Sequence, residues 1–110
     1  MEGFVKGDII VLEFPFSDLK NVKRRPALVI KAPKGEDIIV VQITGSSYAP
    51  SVEILINSMD FRNGSLKRDS FVRIDKIASI EKSIIKYKIG SLKQEKFSQI
   101  LDRICMFLKS

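Results

Sequence analysis

The chain contains no histidine, which removes the commonest general acid and base and the commonest zinc ligand together. Cysteine occurs once, at Cys105, so no internal disulfide can form and a reducing compartment is the natural setting. Cys105 lies in a segment that reads as helix and is expected to serve as a small core hydrophobe. There is no Gly-rich phosphate loop, no Cys/His metal set, no paired acidic cluster at metal spacing and no nucleophile triad. These absences argue against a metal-dependent nuclease, and no metal or cofactor is expected. No apolar run approaches the length of a membrane span, and residues Met1 to Lys6 lack the apolar core of a signal peptide. A cytoplasmic protein without a membrane partner is expected.

What remains is a 110-residue chain with a formal net charge of +6, from 19 Lys and Arg against 13 Asp and Glu. That length suits one domain, residues 1–110, with a single core. The charge points to a polyanion or an acidic protein segment as partner, or to a merely solvated surface. The stretch Gly7 to Ile30 carries most of the information. Two apolar runs, Ile9 to Phe14 and Ala27 to Ile30, flank a polar, basic loop that ends in Arg24-Arg25-Pro26. Both runs are rich in Ile, Val, Leu and Phe and too short for helices, so they read as strands buried on both faces of a small closed sheet. Pro26 is expected to start the second strand, where its missing N–H costs least. It biases Arg25 to an extended backbone, which places a guanidinium at the strand mouth.

Further along, a turn cluster at Pro33-Lys34-Gly35-Glu36 leads to a third strand, Asp37 to Ile43, which should pair with the second, Ala27 to Ala32, as a hairpin. A segment of small and hydroxyl residues, Gly45 to Pro50, precedes a fourth strand at Val52 to Ile56. Asn57 to Arg68 reads as a long polar connection, with Asn63-Gly64 its strongest turn signal. Strands are expected at Ser70 to Asp75 and Ile77 to Ile80, then a short helical turn and a last strand, Tyr87 to Ile89. From Gln94 to Leu108, the residues Phe97, Ile100, Leu101, Ile104 and Leu108 recur at helical spacing and form one apolar stripe. Ser91 with Gln94 offers a capping box, and Lys93 is an equally good boundary. The pattern predicts a mainly β protein, a small barrel with a C-terminal α-helix.

Four blocks stand out in order. They are the Gly7-Asp8 start running into Arg25-Pro26-Ala27-Leu28-Val29, then Val41-Gln42-Ile43-Thr44, then Leu66-Lys67-Arg68-Asp69-Ser70 with the strand after it, and Lys88-Ile89-Gly90-Ser91-Leu92 before the helix. Together they resemble the MazF/PemK-like toxins, the sequence-specific endoribonucleases of type II toxin–antitoxin systems. The resemblance implies an SH3-like β-barrel, a homodimer, a single-stranded RNA substrate and a cognate antitoxin. It also implies that Arg25, on the family's Arg-Pro motif, is the main catalytic residue and that Thr44, on its Ile-Thr position, assists.

The chemistry suits those residue types. In cleavage by ribose 2′-OH attack, negative charge grows on the non-bridging phosphate oxygens, and an arginine donates bidentate, charge-assisted hydrogen bonds to such oxygens at any working pH. A threonine hydroxyl can donate to the same oxygens. Lys20, Lys23 and Arg24 are candidate phosphate contacts. Ser46 and Ser47 are candidate hydrogen-bonding residues, and Phe16 and Tyr48 candidate stacking platforms for an unpaired base. Asp18, Ser70 and Lys76 are second-tier positions, and no general base is identified. Two departures from the family pattern bear on recognition: the loop before Arg25 is short and Lys-rich, and Gly45 follows Thr44 where many members carry a polar residue. Two rivals share the fold, a catalytically inactive nucleic-acid-binding barrel and a gyrase-type toxin that acts on a protein target. The antitoxin is expected to present an acidic, apolar-anchored C-terminal segment.

Overall fold

The computed structural model describes residues 3–13 and 24–110. Seven strands run in the order β1 (Asp8–Glu13), β2 (Arg24–Lys31), β3 (Asp37–Thr44), β4 (Glu53–Ile56), β5 (Phe61–Asn63), β6 (Ser70–Glu81) and β7 (Ile85–Leu92), followed by one helix, α1 (Gln94–Lys109). They form a single antiparallel sheet in the order β4-β6-β3-β2-β1-β7-β5, curled into a half-barrel with the helix at its C-terminal end. The mainly β barrel with a terminal helix expected from the sequence is therefore the observed fold. No helix among the described residues is long and apolar enough to cross a membrane.

The continuous apolar runs find their explanation in two apolar clusters, one on each face of the sheet. Ile9, Leu28, Val41, Ile43, Val72 and Ile74 meet Phe97, Ile100 and Ile104 of α1 in the first, while Ile10, Leu12, Ala27, Val29, Ile38, Val40 and Ile80 form the second. Successive residues of a strand point to opposite faces, so β1, β2 and β3 must be apolar at every position where both faces are covered. Each fully buried Ile or Leu contributes roughly 1.5–3 kcal/mol.

Several details differ from expectation, each for a local reason. Pro26 lies inside β2, opposite Val11, because β2 begins at Arg24. The β2–β3 pairing runs only to Ala27↔Gln42, so the ladder toward β3 has ended where the proline lacks its N–H. The two strands expected over 70–80 are one, bent where the register jumps from Val41↔Ile77 to Ile43↔Val72. The polar connection 57–68 hides β5, whose only buried residue is Phe61. Three residues give no readable periodicity. Ahead of it, Asn57 caps a 3-10 turn by accepting from the Met59 N–H, while Asp60 accepts from the Asn57 N–H at 2.9 Å.

β7 starts at Ile85 rather than Tyr87, after a 3-10 turn at Lys82–Ile84. Gly64 adopts φ +68, and Gly64 and Gly90 pack so closely that a Cβ on Gly64 would lie 2.9 Å from the Gly90 Cα. Lys93, not Ser91, bounds the helix, and no side chain caps it. Ser91 instead donates to the buried carboxylate of Asp8 at 2.9 Å, tying β7 to β1. Cys105 is exposed, as is Leu108, because the last turn of α1 runs past the sheet's apolar face. The helix stripe therefore ends at Ile104.

Candidate functional site

The β2–β3 register sets the centre of the site. Ala27 pairs with Gln42, Leu28 with Val41 and Val29 with Val40, and Arg25 and Thr44 each lie two residues beyond the last of these pairs, where the ladder has ended. Alternation along the strands assigns both to the face that carries Ala27, Val29 and Val40. Arg25 is half-buried and Thr44 is 5 % exposed. The Thr44 hydroxyl donates to the Ser46 carbonyl at 3.2 Å and lies 3.4 Å from the Ser46 N–H, which turns the chain sharply at the strand end. Ser46 thus contributes its backbone to that turn. On the same face, Gln42 Oε1 is the one buried side-chain oxygen without a hydrogen-bond partner among the described residues.

Beside this strand end opens a hollow of about 510 Å³. Arg24 and Arg25 approach it from the start of β2, and Lys67 and Arg68 from the turn before β6. Ser65 and Ser70 add hydroxyls, Val11, Ile43 and Ile89 give it apolar walls, and Tyr87 stands at it with its ring more than half exposed. Among the described residues no carboxylate lines the hollow. Like charges gathered without a counter-ion repel one another, so the arrangement is stabilised by an anion and opposed by a cation. Apolar walls beside the cations suit a ligand with both phosphates and flat bases.

Of the residues singled out in the sequence, Arg24, Arg25 and Ser70 line this hollow. Ser70 donates to the Arg68 carbonyl at 3.1 Å and fixes the turn that presents Arg68. Thr44 lies next along the chain to two lining residues, Ile43 and Gly45. Ser47 and Tyr48 do not reach it. The Ser47 hydroxyl donates to Glu53 Oε1 at 2.7 Å, and the Tyr48 and Ala49 N–H groups donate to Glu53 Oε2 at 2.8 Å each. Desolvation alone would raise the Glu53 pKa, but these bonds and the Arg73 charge prevail and hold the carboxyl below its ordinary range. Glu53 is thus the anchor of the loop after β3. Tyr48 is 74 % exposed and presents its ring to solvent.

Lys76 sits half-buried on β6, away from the hollow, where its charge helps keep the Asp75 carboxyl low. The larger cause there is the Arg73 fork, which donates to Asp75 at 2.9 and 2.8 Å. Phe16, Asp18, Lys20 and Lys23 lie outside the described residues. Sequence reasoning passed over Lys67, Arg68, Ser65, Tyr87 and Gln42. A signal existed for two of them: Lys67-Arg68 is a basic pair just ahead of a strand, as Arg24-Arg25 is. Among the described residues no group of three or more Cys, Asp or Glu side chains is placed to hold a metal ion.

The family model of the PemK-like, MazF-like toxins of type II toxin–antitoxin systems matches residues 5–108. Among solved structures, the chain is similar to an endoribonuclease in complex with its cognate antitoxin from Mycobacterial species. Identity there is 13 %, covering 97 % of this chain and 96 % of that one, with a TM-score of 0.76. It is also similar to the Mycobacterium tuberculosis toxin MazF-mt6, at 19 % identity over 88 % and 91 % of the two chains and a TM-score of 0.69. A further endoribonuclease from Mycobacterial species matches at 16 % identity over 99 % and 94 %, with a TM-score of 0.73. At such identities the likeness concerns the fold. The search of curated protein sequences found no match.

Proposed function

Because the chain belongs to the PemK-like, MazF-like toxins of type II toxin–antitoxin systems, we propose that it is an endoribonuclease that cuts single-stranded RNA at a short sequence. The observation that carries this reading is the hollow lined by Arg24, Arg25, Lys67 and Arg68, with no carboxylate among the described residues, beside the strand ends that carry Arg25 and Thr44. In the proposed reaction the ribose 2′-oxygen attacks the adjacent phosphorus. The new 2′-O–P bond forms as the 5′-O–P bond breaks, the 2′ proton leaves to a base, and the departing 5′-oxygen takes up a proton. Products are a 2′,3′-cyclic phosphate and a 5′-hydroxyl.

Arg25 donates its fork to the non-bridging oxygens, where charge grows in the transition state. It is extended and half-buried at the strand start, so little reorganisation is needed as that charge appears. Thr44 acts as a second donor, its hydroxyl rotating from the Ser46 carbonyl to a phosphate oxygen. Arg24 and Lys67 hold flanking phosphates, and the exposed Tyr87 ring gives a base a face on which to stack. The proposal includes a homodimer and a cognate antitoxin whose acidic, apolar-anchored C-terminal segment fills the hollow in place of RNA. Both the lining cations and the apolar walls of Val11, Ile43 and Ile89 suit such a segment.

The test is incubation of the purified protein with a long RNA in EDTA, followed by mapping of the cuts and of their end groups. Cuts at a recurring short sequence that leave 2′,3′-cyclic phosphates are expected. Intact RNA, or ends carrying 3′-hydroxyls, would refute the proposal.

A further inference from the structure

Gly45 lies against the end of a neighbouring side chain, and no special backbone conformation calls for a glycine there. Positive φ among the described glycines is confined to Gly7, Gly35 and Gly64, so residue 45 has a conformation open to any amino acid. The guanidinium of Arg68 occupies the space that a side chain there would take, so a larger residue would push it aside. A Cβ built on Gly45 would lie 2.9 Å from Arg68 Nε and 3.0 Å from its Cζ, and would collide outright with one terminal nitrogen. The guanidinium therefore rests on the bare strand end one residue beyond Thr44. Its carbonyl is held by Ser70 at 3.1 Å, and among the described residues no carboxylate pairs with it. The exposed Arg68 thus lays a planar cation over Gly45, in the hollow that Arg24 and Arg25 also line.

We propose that Gly45 and Arg68 form a second phosphate seat, which grips a phosphate next to the scissile one and so sets which phosphate lies under Arg25. The inference rests on the nuclease reading above for its purpose, though not for its geometry. A guanidinium laid against bare backbone has one side closed to it, so it gives up less freedom on binding phosphate than one surrounded by solvent. Arg68 is a positioning residue in this scheme. It does not touch the reacting bond. Ser70 acts through it, by fixing the turn.

The experiment measures binding of a 2′-O-methyl RNA oligomer, which cannot be cut, together with cleavage and cut positions on the matching RNA. The proteins are wild type, Gly45→Ala, Arg68→Ala, Arg68→Gln and the Gly45→Ala/Arg68→Ala double variant. Loss of a charge-assisted bond to phosphate should weaken binding by about tenfold or more in both Arg68 variants, and cutting should spread to neighbouring phosphates. Gly45→Ala should weaken binding in the wild-type background and have almost no further effect once Arg68 is alanine, because its harm comes through Arg68. A structural role alone would give equal loss in both backgrounds, a lowered Tm and unchanged cut positions, and would overturn the proposal. So would wild-type binding and wild-type cut positions in Arg68→Ala and Arg68→Gln, which decide the matter even if Gly45→Ala fails to fold. If wild type binds the oligomer through Arg68 but cuts no RNA, the seat stands and the nuclease reading falls. If wild type cuts and the Arg68 variants match it, the reading stands and the seat falls.

Discussion

Replacing Arg24 and Lys67 together by alanine removes two of the four described cations that line the hollow, from two separate elements, and leaves Arg25 in place. Each phosphate neutralised on a single strand releases condensed counter-ions, and adds ~0.7 to the slope with which log affinity falls against log salt. If both side chains hold phosphates, the double variant's slope should be shallower than wild type by about 1.4. Between about 50 and about 200 mM salt, wild-type binding should then fall by a factor roughly sevenfold larger than the variant's. Fluorescence anisotropy of a labelled 2′-O-methyl oligomer over a salt series reads this directly. The difference in slopes is insensitive to contacts made elsewhere, since those are common to both proteins. A Lys34→Ala/Lys109→Ala protein, altered at two lysines that line no part of the hollow, controls for net charge. Parallel slopes in wild type and the Arg24/Lys67 variant would show that the hollow does not hold the phosphates.

Arg25→Ala should lose most cleavage, since removal of one preorganised donor costs about a hundredfold or more in rate, and near-normal single-turnover rates would remove Arg25 from the mechanism. Thr44→Ser should stay nearly active while Thr44→Ala slows measurably; equal loss in both would assign the effect to the methyl group's packing. Glu53 has its carboxyl pKa lowered in the folded state, so its stabilising contribution is complete above the unfolded value and is lost as pH falls through the folded one. The gap in Tm between wild type and Glu53→Gln should accordingly shrink on acidification, and a gap that widens would contradict the hydrogen-bond account of the loop. Ile100→Ala, at a fully buried helix position, should destabilise by about 2–5 kcal/mol in denaturant unfolding, and a change much below that would mean that α1 contributes little to the core.

Architecture was readable where burial imposed a pattern. The runs through Ile9, Val29 and Val41 are apolar on successive residues because both faces of the sheet are covered, and Phe97, Ile100 and Ile104 repeat at helical spacing because one side of α1 is. β5 escaped because one buried residue, Phe61, makes no period. The bend in β6 read as a break, since the residues around Asp75 are polar and the register jump there is set by pairing with β3. In the site, Arg25 and Thr44 were visible through their motifs and their strand positions. Arg68 was not singled out, although Lys67-Arg68 is a basic pair ahead of a strand, because nothing in the sequence tells that its guanidinium lies over Gly45. Ser47 looked available for a ligand because its partner, Glu53, lies six residues on and across a turn.

The position of β1 bears on how such a chain is made. Its two neighbours are β2, which follows it directly, and β7, residues Ile85–Leu92, near the other end of the sequence. The Asp8–Ser91 hydrogen bond joins partners 83 residues apart. β1 therefore waits for a strand made much later, and sheets closed by such distant pairings fold on the millisecond-to-second scale rather than in microseconds. A nascent chain that has not yet released β7 and α1 holds β1 with one edge unpaired and Ile9 without Leu92, Phe97, Ile100 and Ile104 against it, a template for pairing with other chains. Synthesis interrupted before Ile85 is therefore expected to leave a fragment with an open sheet edge, one that pairs with other chains more readily than it folds.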